Sequence, residues 1–268
     1  MNDFAHSTDE WIEPNGFGGF ASGTASGIRT RRYHSLLLAK TNSPTGLMVL
    51  VNGFDAQVEF DRETRSLTSQ RYAPGVIHPD GASRIIKFES MPWPRWFFQL
   101  TERLAIEQEI FIPRGRSSVV MAWKLIGHTD ERAKLKVRLF FSGRDFHSLH
   151  RENDEFSFES YSQGEHFIFR SYPNVPAVTA QTNGFFLRDP AWYRNFLYRE
   201  EEAQGLNCTE DLASPGIFGW DLNGQSAVLA LLAQEGESLL GDGTSEADFT
   251  RLRTAELNLR RLEHVNRE

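Results

Sequence analysis

The chain has 268 residues, of which 40% are hydrophobic, including 21 Phe and 6 Trp, and its formal net charge is −7 at pH 7. It can bury a sizeable aromatic-rich core, and its acidic balance lacks the basic footprint of non-specific nucleic-acid or membrane binding. A single cysteine, Cys208, excludes an intramolecular disulfide framework and a multi-cysteine zinc site.

The N-terminus, MNDFAHSTDEW, has no positively charged segment followed by an apolar one, so no signal peptide is read. No apolar run approaches the ~20 residues that span a bilayer. The expectation is a cytoplasmic protein with no membrane partner.

Trp11 to Leu38 is the stretch around which the rest is organised. Gly16, Gly18, Gly19, Gly23 and Gly27 fall within twelve residues, just after Asn15. The chain then turns basic and aromatic at Arg29, Arg31, Arg32, Tyr33 and His34 before the apolar run Leu36–Leu38. Glycine admits positive φ and close approach at an entropic cost, so the run predicts a defined irregular surface. Gly16-Phe17-Gly18-Gly19 lacks the Gly-Lys-Ser/Thr of a phosphate loop and the strand–helix setting of a dinucleotide loop.

A strand is expected from Leu36. Leu47–Val51 and Phe54–Phe60, joined by Asn52-Gly53, read as a hairpin, because Asn-Gly suits a type I′ turn. Residues 64–72 extend the same sheet. In residues 133–141, Leu135, Val137, Leu139 and Phe141 alternate with Lys134, Lys136 and Arg138, a period of two. Val119, Met121, Trp123 and Leu125 share one face, as do Ile106, Ile110 and Ile112 with Glu107 and Glu109 opposite. Residues 165–170, 192–199 and 227–232 continue a rhythm that predicts an all-β, antiparallel β-sandwich.

From Ser245 the period changes. Phe249, Leu252, Ala255, Leu259 and Leu262 line one helical face, Ser245 and Asp248 form a capping pair, and Glu256–Arg260 and Glu263–Arg267 are i,i+4 ion pairs. No glycine or proline stop follows, as expected of a chain that continues past Glu268. The expected division is a sandwich over 1–244 and a linker helix over 245–268.

Candidate chemistry is sparse. Asp145, His147 and His150 are metal-ligating types, but an Arg144–carboxylate contact holding a loop is the preferred reading, and no metal or cofactor is expected. Glycosidases need two carboxylates ~5 to 9.5 Å apart. Glu200-Glu201-Glu202 and Glu210-Asp211 read as solvated charge, and no Ser-His-Asp arrangement is present. Trp123 reads as core, as does Trp96. Trp11 and Tyr33 flank the glycine surface and are the aromatic candidates for stacking on a sugar.

Asn-Gly-x-Gly-Gly-Phe-Ala-Ser-Gly-Thr-x-x-Gly followed by Thr-Arg-Arg-Tyr-His, from Asn15 to His34, resembles the opening of the bacterial and archaeal type of glycogen debranching enzyme. RDFHSLHREN from Arg144 and GLNCTEDLASPGIFGW from Gly205 also resemble that family. The resemblance implies a supersandwich-like, galactose-mutarotase-like N-terminal domain ahead of an (α/α)6 barrel. In that family the barrel carries the carboxylates that hydrolyse α-1,6-linked branch points, the amylo-α-1,6-glucosidase reaction. The chain then has no catalytic residues of its own. It braces the barrel of the same polypeptide and helps shape a site for branched α-glucan, glycogen or limit dextrin. The expected substrate-binding or domain-interface residues are Trp11, Asn15, Gly16, Gly18, Gly19, Arg32, Tyr33, His34, Arg144 and Asp145. A competing reading makes Tyr33 core and Arg31 and Arg32 loop braces. Alternatives for the whole chain are a stand-alone glucan-binding module and the sandwich of a glycoside phosphorylase.

Overall fold

A computed structural model describes residues 7–42, 44–129, 131–163, 166–234, 238–241 and 244–265. In chain order the strands are β1 (Glu10–Pro14), β2 (Phe20–Thr24), β3 (Leu37–Lys40), β4 (Leu47–Phe60), β5 (Glu63–Ser66), β6 (Ser69–Tyr72) and β7 (Val76–Asp80). There follow β8 (Ile85–Glu89), β9 (Arg95–Gln99), β10 (Ala105–Phe111), β11 (Ser118–Ile126) and β12 (Lys134–Asp145). The remainder comprises β13 (Ser160–Gln163), β14 (His166–Phe169), β15 (Val178–Thr182), β16 (Phe185–Leu197), a short helix α1 (Arg199–Ala203), β17 (Thr209–Asp221), β18 (Ala227–Leu232) and the long helix α2 (Glu246–Val265).

The architecture is an antiparallel sandwich of two eight-stranded sheets. Sheet I runs β3-β4-β12-β17-β16-β6-β7, with β5 on the same edge of β4 as β3, and sheet II runs β13-β14-β15-β18-β11-β10-β9-β8. The alternation read in residues 133–141 sets the core: Leu135, Val137, Leu139 and Phe141 are buried, while Lys136 and Arg138 face outward. Ile106, Ile110, Val119, Met121, Trp123, Leu229 and Leu231 meet them from sheet II in one continuous cluster. Trp123 donates its indole N–H to Gln108 (2.8 Å), which satisfies the one polar group of the largest core ring. Trp96 packs inward as expected, and its N–H reaches the Ala25 carbonyl (2.8 Å).

Two local expectations change. Asn52-Gly53 is not a turn: it lies inside the unbroken strand β4, where Gly53 pairs with Phe140. The reason is tertiary. A Cβ at Gly53 would sit 2.2 Å from a guanidinium nitrogen of Arg29, so this glycine serves close approach rather than positive φ. The glycine stretch is also more regular than expected, since β1 and β2 pair as a hairpin with Trp11 opposite Gly23.

Helix α2 forms where the 3.6-residue period predicts, and its start is capped: Ser245 Oγ donates to Asp248, whose N–H returns a bond to Ser245 (3.2 Å). The buried face is rotated from the expected stripe. Phe249, Leu252, Glu256, Leu257 and Arg260 turn toward the protein, while Ala255, Leu259 and Leu262 are exposed. Ion pairs decide the rotation. Arg253 grips Glu109 (2.7 Å), and Arg260 joins Glu256 (2.8 Å) to Glu13. Both arginines lie over the Trp93 ring, at 5.3 and 5.0 Å, and Trp93 stacks on Phe111 at 4.7 Å. The helix thereby covers the outer face of sheet II, which explains why β11 is buried on both faces. Glu263 pairs instead with Arg114 (3.0 Å), and its expected partner Arg267 lies outside the described residues. Among the described residues, no helix is long and apolar enough to cross a membrane.

Burial pushes the Glu13 carboxyl upward, and Arg260 opposes this. The side chains of Glu13 and Glu256 are only 5% and 3% exposed. Glu256 keeps the Arg114 N–H (3.2 Å) when Arg260 is removed, whereas Glu13 loses its paired cation, so Arg260→Ala is expected to strand the buried Glu13 carboxylate and cost about 3–5 kcal/mol. Urea unfolding followed by tryptophan fluorescence measures this, and an unchanged midpoint would show that the pair contributes nothing.

Candidate functional site

The expected site residues divide into two groups. Trp11 is not at a surface: it is a core ring, edge-on to Trp96 at 5.7 Å, with its N–H on the Thr24 carbonyl (3.2 Å). Its alternate position in β1 points it inward, a consequence of hairpin pairing that the glycine count did not reveal. Asn15, also buried, ties off the hairpin turn. Its Oδ1 accepts the N–H groups of Phe17 (2.8 Å) and Gly19 (3.0 Å), and its carbonyl accepts that of Gly115 (2.9 Å). Gly16 and Gly18, at φ 83° and 87°, hold the left-handed backbone that lets the turn close. Phe17 between them is 72% exposed. The turn joins two antiparallel strands, the wrong setting for a nucleotide loop.

The second group is built around Glu210 on β17, whose residue is 0% exposed. Its carboxylate accepts from the Arg144 guanidinium, the Tyr198 hydroxyl, the His150 N–H (2.9 Å) and the Asn52 amide (3.3 Å). Burial, with this carboxylate beside it, pushes the Tyr198 hydroxyl upward, so it stays a donor. Arg144, on β12, also donates to the carbonyls of Arg32 (2.6 Å), Asp145 (3.2 Å) and Phe146 (3.2 Å). A planar fork with several fixed donors is what one arginine offers and lysine does not. The expectation of solvated charge at Glu210 does not hold, because Arg144 and Tyr198 meet it inside the protein. Its flanks, Leu212 and Ala213 within an apolar strand, were the available signal.

Arg32 continues the network. Its N–H and Nε donate to Glu201 (3.0 and 3.3 Å), and its terminal nitrogens reach the carbonyls of His147 and Asn207, each at 3.0 Å. Glu201 is buried in α1, so the Glu200–Glu202 run is not a uniformly solvated face. Arg31 pairs with Glu10 (2.6 Å). Tyr33 is half-buried, packs on Phe146 at 4.9 Å and shares a hydrogen bond with His147 (3.1 Å). Phe146 also meets Phe20 at 5.9 Å, which links this group to the end of the glycine turn. The Asp145 carboxylate caps its own loop, accepting from His147 N–H (3.0 Å) and the Thr45 hydroxyl (2.9 Å). His150 turns away to the Asp211 carbonyl (2.8 Å) and the Tyr172 hydroxyl (2.6 Å). Asp145, His147 and His150 therefore do not converge.

His34 is buried, and its Nδ1 accepts the Thr30 N–H (3.1 Å), so Nε2 carries the proton and donates to Glu10 (3.1 Å). Burial pushes this imidazole down to about 4, an effect the Glu10 carboxylate only partly offsets. Chemically, the whole arrangement is a set of donors aimed inward at carbonyls and carboxylates. It fixes the positions of α1, the 144–150 loop and the Tyr33 ring, and it leaves Phe17, Tyr33 and His147 outward.

The fold and this scaffold define an antiparallel β-sandwich whose parts are joined by buried arginine–glutamate links. The chain belongs to the glycogen debranching enzyme N-terminal family, whose sequence profile matches residues 9–229. A bacterial glucoamylase solved in complex with acarbose is structurally similar at a TM-score of 0.37 and 11% identity, over 96% of this chain and 34% of that one. The chain thus spans about a third of that protein's length. A search of the curated proteins finds no match.

Two outcomes follow from the network. Arg144→Ala leaves Glu210 buried without its cation and is expected to cost about 3–5 kcal/mol in denaturant unfolding, with Arg144→Lys recovering only part because it lacks the fork. For His34, the folded imidazole protonates well below its unfolded value of 6.5. Between those values the unfolded chain binds more protons, so stability is full above about pH 6.5 and falls as pH drops toward 4, by up to ~1.4 kcal/mol per pH unit. His34→Gln should flatten that slope in urea titrations across the range.

Proposed function

We propose that this chain is the non-catalytic N-terminal domain of a glycogen debranching enzyme of the amylo-α-1,6-glucosidase type. In this reading residues 1–244 brace a C-terminal (α/α)6 catalytic barrel of the same polypeptide, and the helix from 245 leads into it. The surface formed by Asn15–Gly19 and Arg32–His34 faces the barrel and the branched α-glucan in its site, and the enzyme works in the cytoplasm. The observation that carries the reading is how the buried glutamates are used. Glu13, Glu109, Glu201, Glu210 and Glu256 each pair with an arginine: Arg260, Arg253, Arg32, Arg144 and again Arg260. A glycosidase acid must hold a proton until the leaving group needs it, and a guanidinium partner works against that. These carboxylates are structural anchors, which supports placing the chemistry elsewhere.

Burial pushes both Glu13 and Asp55 upward, but Glu13 is held by Arg260, so Asp55, hydrogen-bonded by Gln70 and Thr68, is the carboxyl to test. Purified 1–268 should release no glucose from a branched limit dextrin. Turnover that Asp55→Asn abolishes would falsify the non-catalytic reading. In the enzyme with its barrel, Arg32→Ala is expected to lower activity on branched glucan. An effect on unfolding alone would reduce the Arg32 surface to scaffold.

A further inference from the structure

A second feature lies away from the Arg32–Arg144 scaffold, on the outer face of sheet I. The sheet curls so that β6 reaches back over β4: Gln70 donates to the Phe54 carbonyl (3.0 Å) and to Asp55 (2.8 Å), and Thr68 donates to Asp55 (3.1 Å). The curl encloses a cleft of about 380 Å³, lined by Asp55, Gln57, Tyr72, His78, Arg138 and Tyr193 among others. That volume falls in the range of small-molecule sites.

Three observations characterise its occupant. First, the two tyrosines are held from behind, Tyr72 on Phe196 at 4.7 Å and Tyr193 on Phe140 at 5.0 Å. The rings are therefore set before any ligand arrives, which lowers the ordering cost of binding. Second, the hydroxyls of Tyr72 and Tyr193, the Gln57 amide and the His78 imidazole have no hydrogen-bond partner among the described residues, although all four line one cleft. Together they supply several donors and acceptors. Third, the cations in the wall are already spent. Lys136 pairs with Glu59, and Arg138 pairs with Asp189 while lying over the Tyr193 ring at 5.7 Å. Among the described residues lining the cleft, no unpaired cation remains for a phosphate or carboxylate ligand.

We infer that this cleft binds a neutral oligosaccharide, with the sugar's hydroxyls on Gln57, His78 and the two tyrosine hydroxyls and its apolar parts against the aromatic wall that Tyr72 and Tyr193 form. Aromatic side chains with a polar tip suit a ligand that is apolar on one face and hydroxylated at its rim. The cleft lies on residues other than those of the Arg32 surface, and its lining alone selects such a ligand.

The test uses the 268-residue chain, titrated by calorimetry and protein NMR with maltoheptaose and with cellohexaose, each up to about 10 mM. Saturable binding of at least one is expected, with Gln57→Ala and Tyr193→Phe each weakening it by about threefold or more and Tyr193→Ala by about tenfold or more. Tyr193→Phe keeps the packing on Phe140, so its effect is read without disturbing the fold, and unfolding curves check all three variants. Absence of binding for both sugars, or unchanged affinity in Gln57→Ala and Tyr193→Phe, overturns the inference. Binding of cellohexaose alone supports the cleft as a saccharide site while counting against an α-glucan enzyme.

Discussion

The buried Arg144–Glu210 pair is the interaction on which the Arg32 turn, the 144–150 loop and the end of β16 depend. Taking both charges from water costs several kcal/mol for each ion, and only well-formed hydrogen bonds return it. Here the carboxylate also collects Tyr198, His150 and Asn52, and the guanidinium collects three carbonyls. The pair thus joins β12, β17, the end of β16 and the Arg32 turn. Removing either ion leaves the other stranded, so these elements hold position together or not at all. The same logic makes the stretch after the glycine hairpin a positioned surface rather than a loose loop.

Helix α2 repeats the device on the other side of the sandwich. A helix docked only by leucines could slide or rotate on a flat sheet, because apolar contact is not directional. Arg253 on Glu109 and Arg260 on Glu13 set both register and rotation, and Trp93 supplies the ring that both guanidinium groups cover. Trp93 donates in turn to Glu109 (2.9 Å), so the indole N–H beneath the two arginines is satisfied as well. The consequence is a helix whose buried stripe includes charge and whose leucines at 259 and 262 face outward.

Sheet I is used on both faces. Its inner face is the ordinary apolar core, whereas its outer face carries Phe140 and Phe196 with the Arg29 guanidinium over them, at 5.7 and 4.8 Å from the ring centres. Gly53 makes room for that guanidinium. The strand beneath is therefore wetted on neither side at that point. Beyond it the same face opens into the cleft of Tyr72 and Tyr193, where packed rings give way to uncommitted polar tips.

Much of the architecture was legible in the residues alone. Period-two patterning placed β10, β11, β12 and β18, the Ser245–Asp248 pair placed the start of α2, and the motif from Asn15 to His34 carried the family. These signals are local, since strand alternation and capping depend on neighbours a few positions apart. The tertiary structure decided what depends on distant partners. Asn52-Gly53 became mid-strand because Arg29 needed the space, Trp11 became core because β1 pairs with β2, and Glu201 and Glu210 became anchors because Arg32 and Arg144 reach them across 169 and 66 positions. A carboxylate in sequence is the same residue whether solvated or buried, and only the approach of its partner determines which it is.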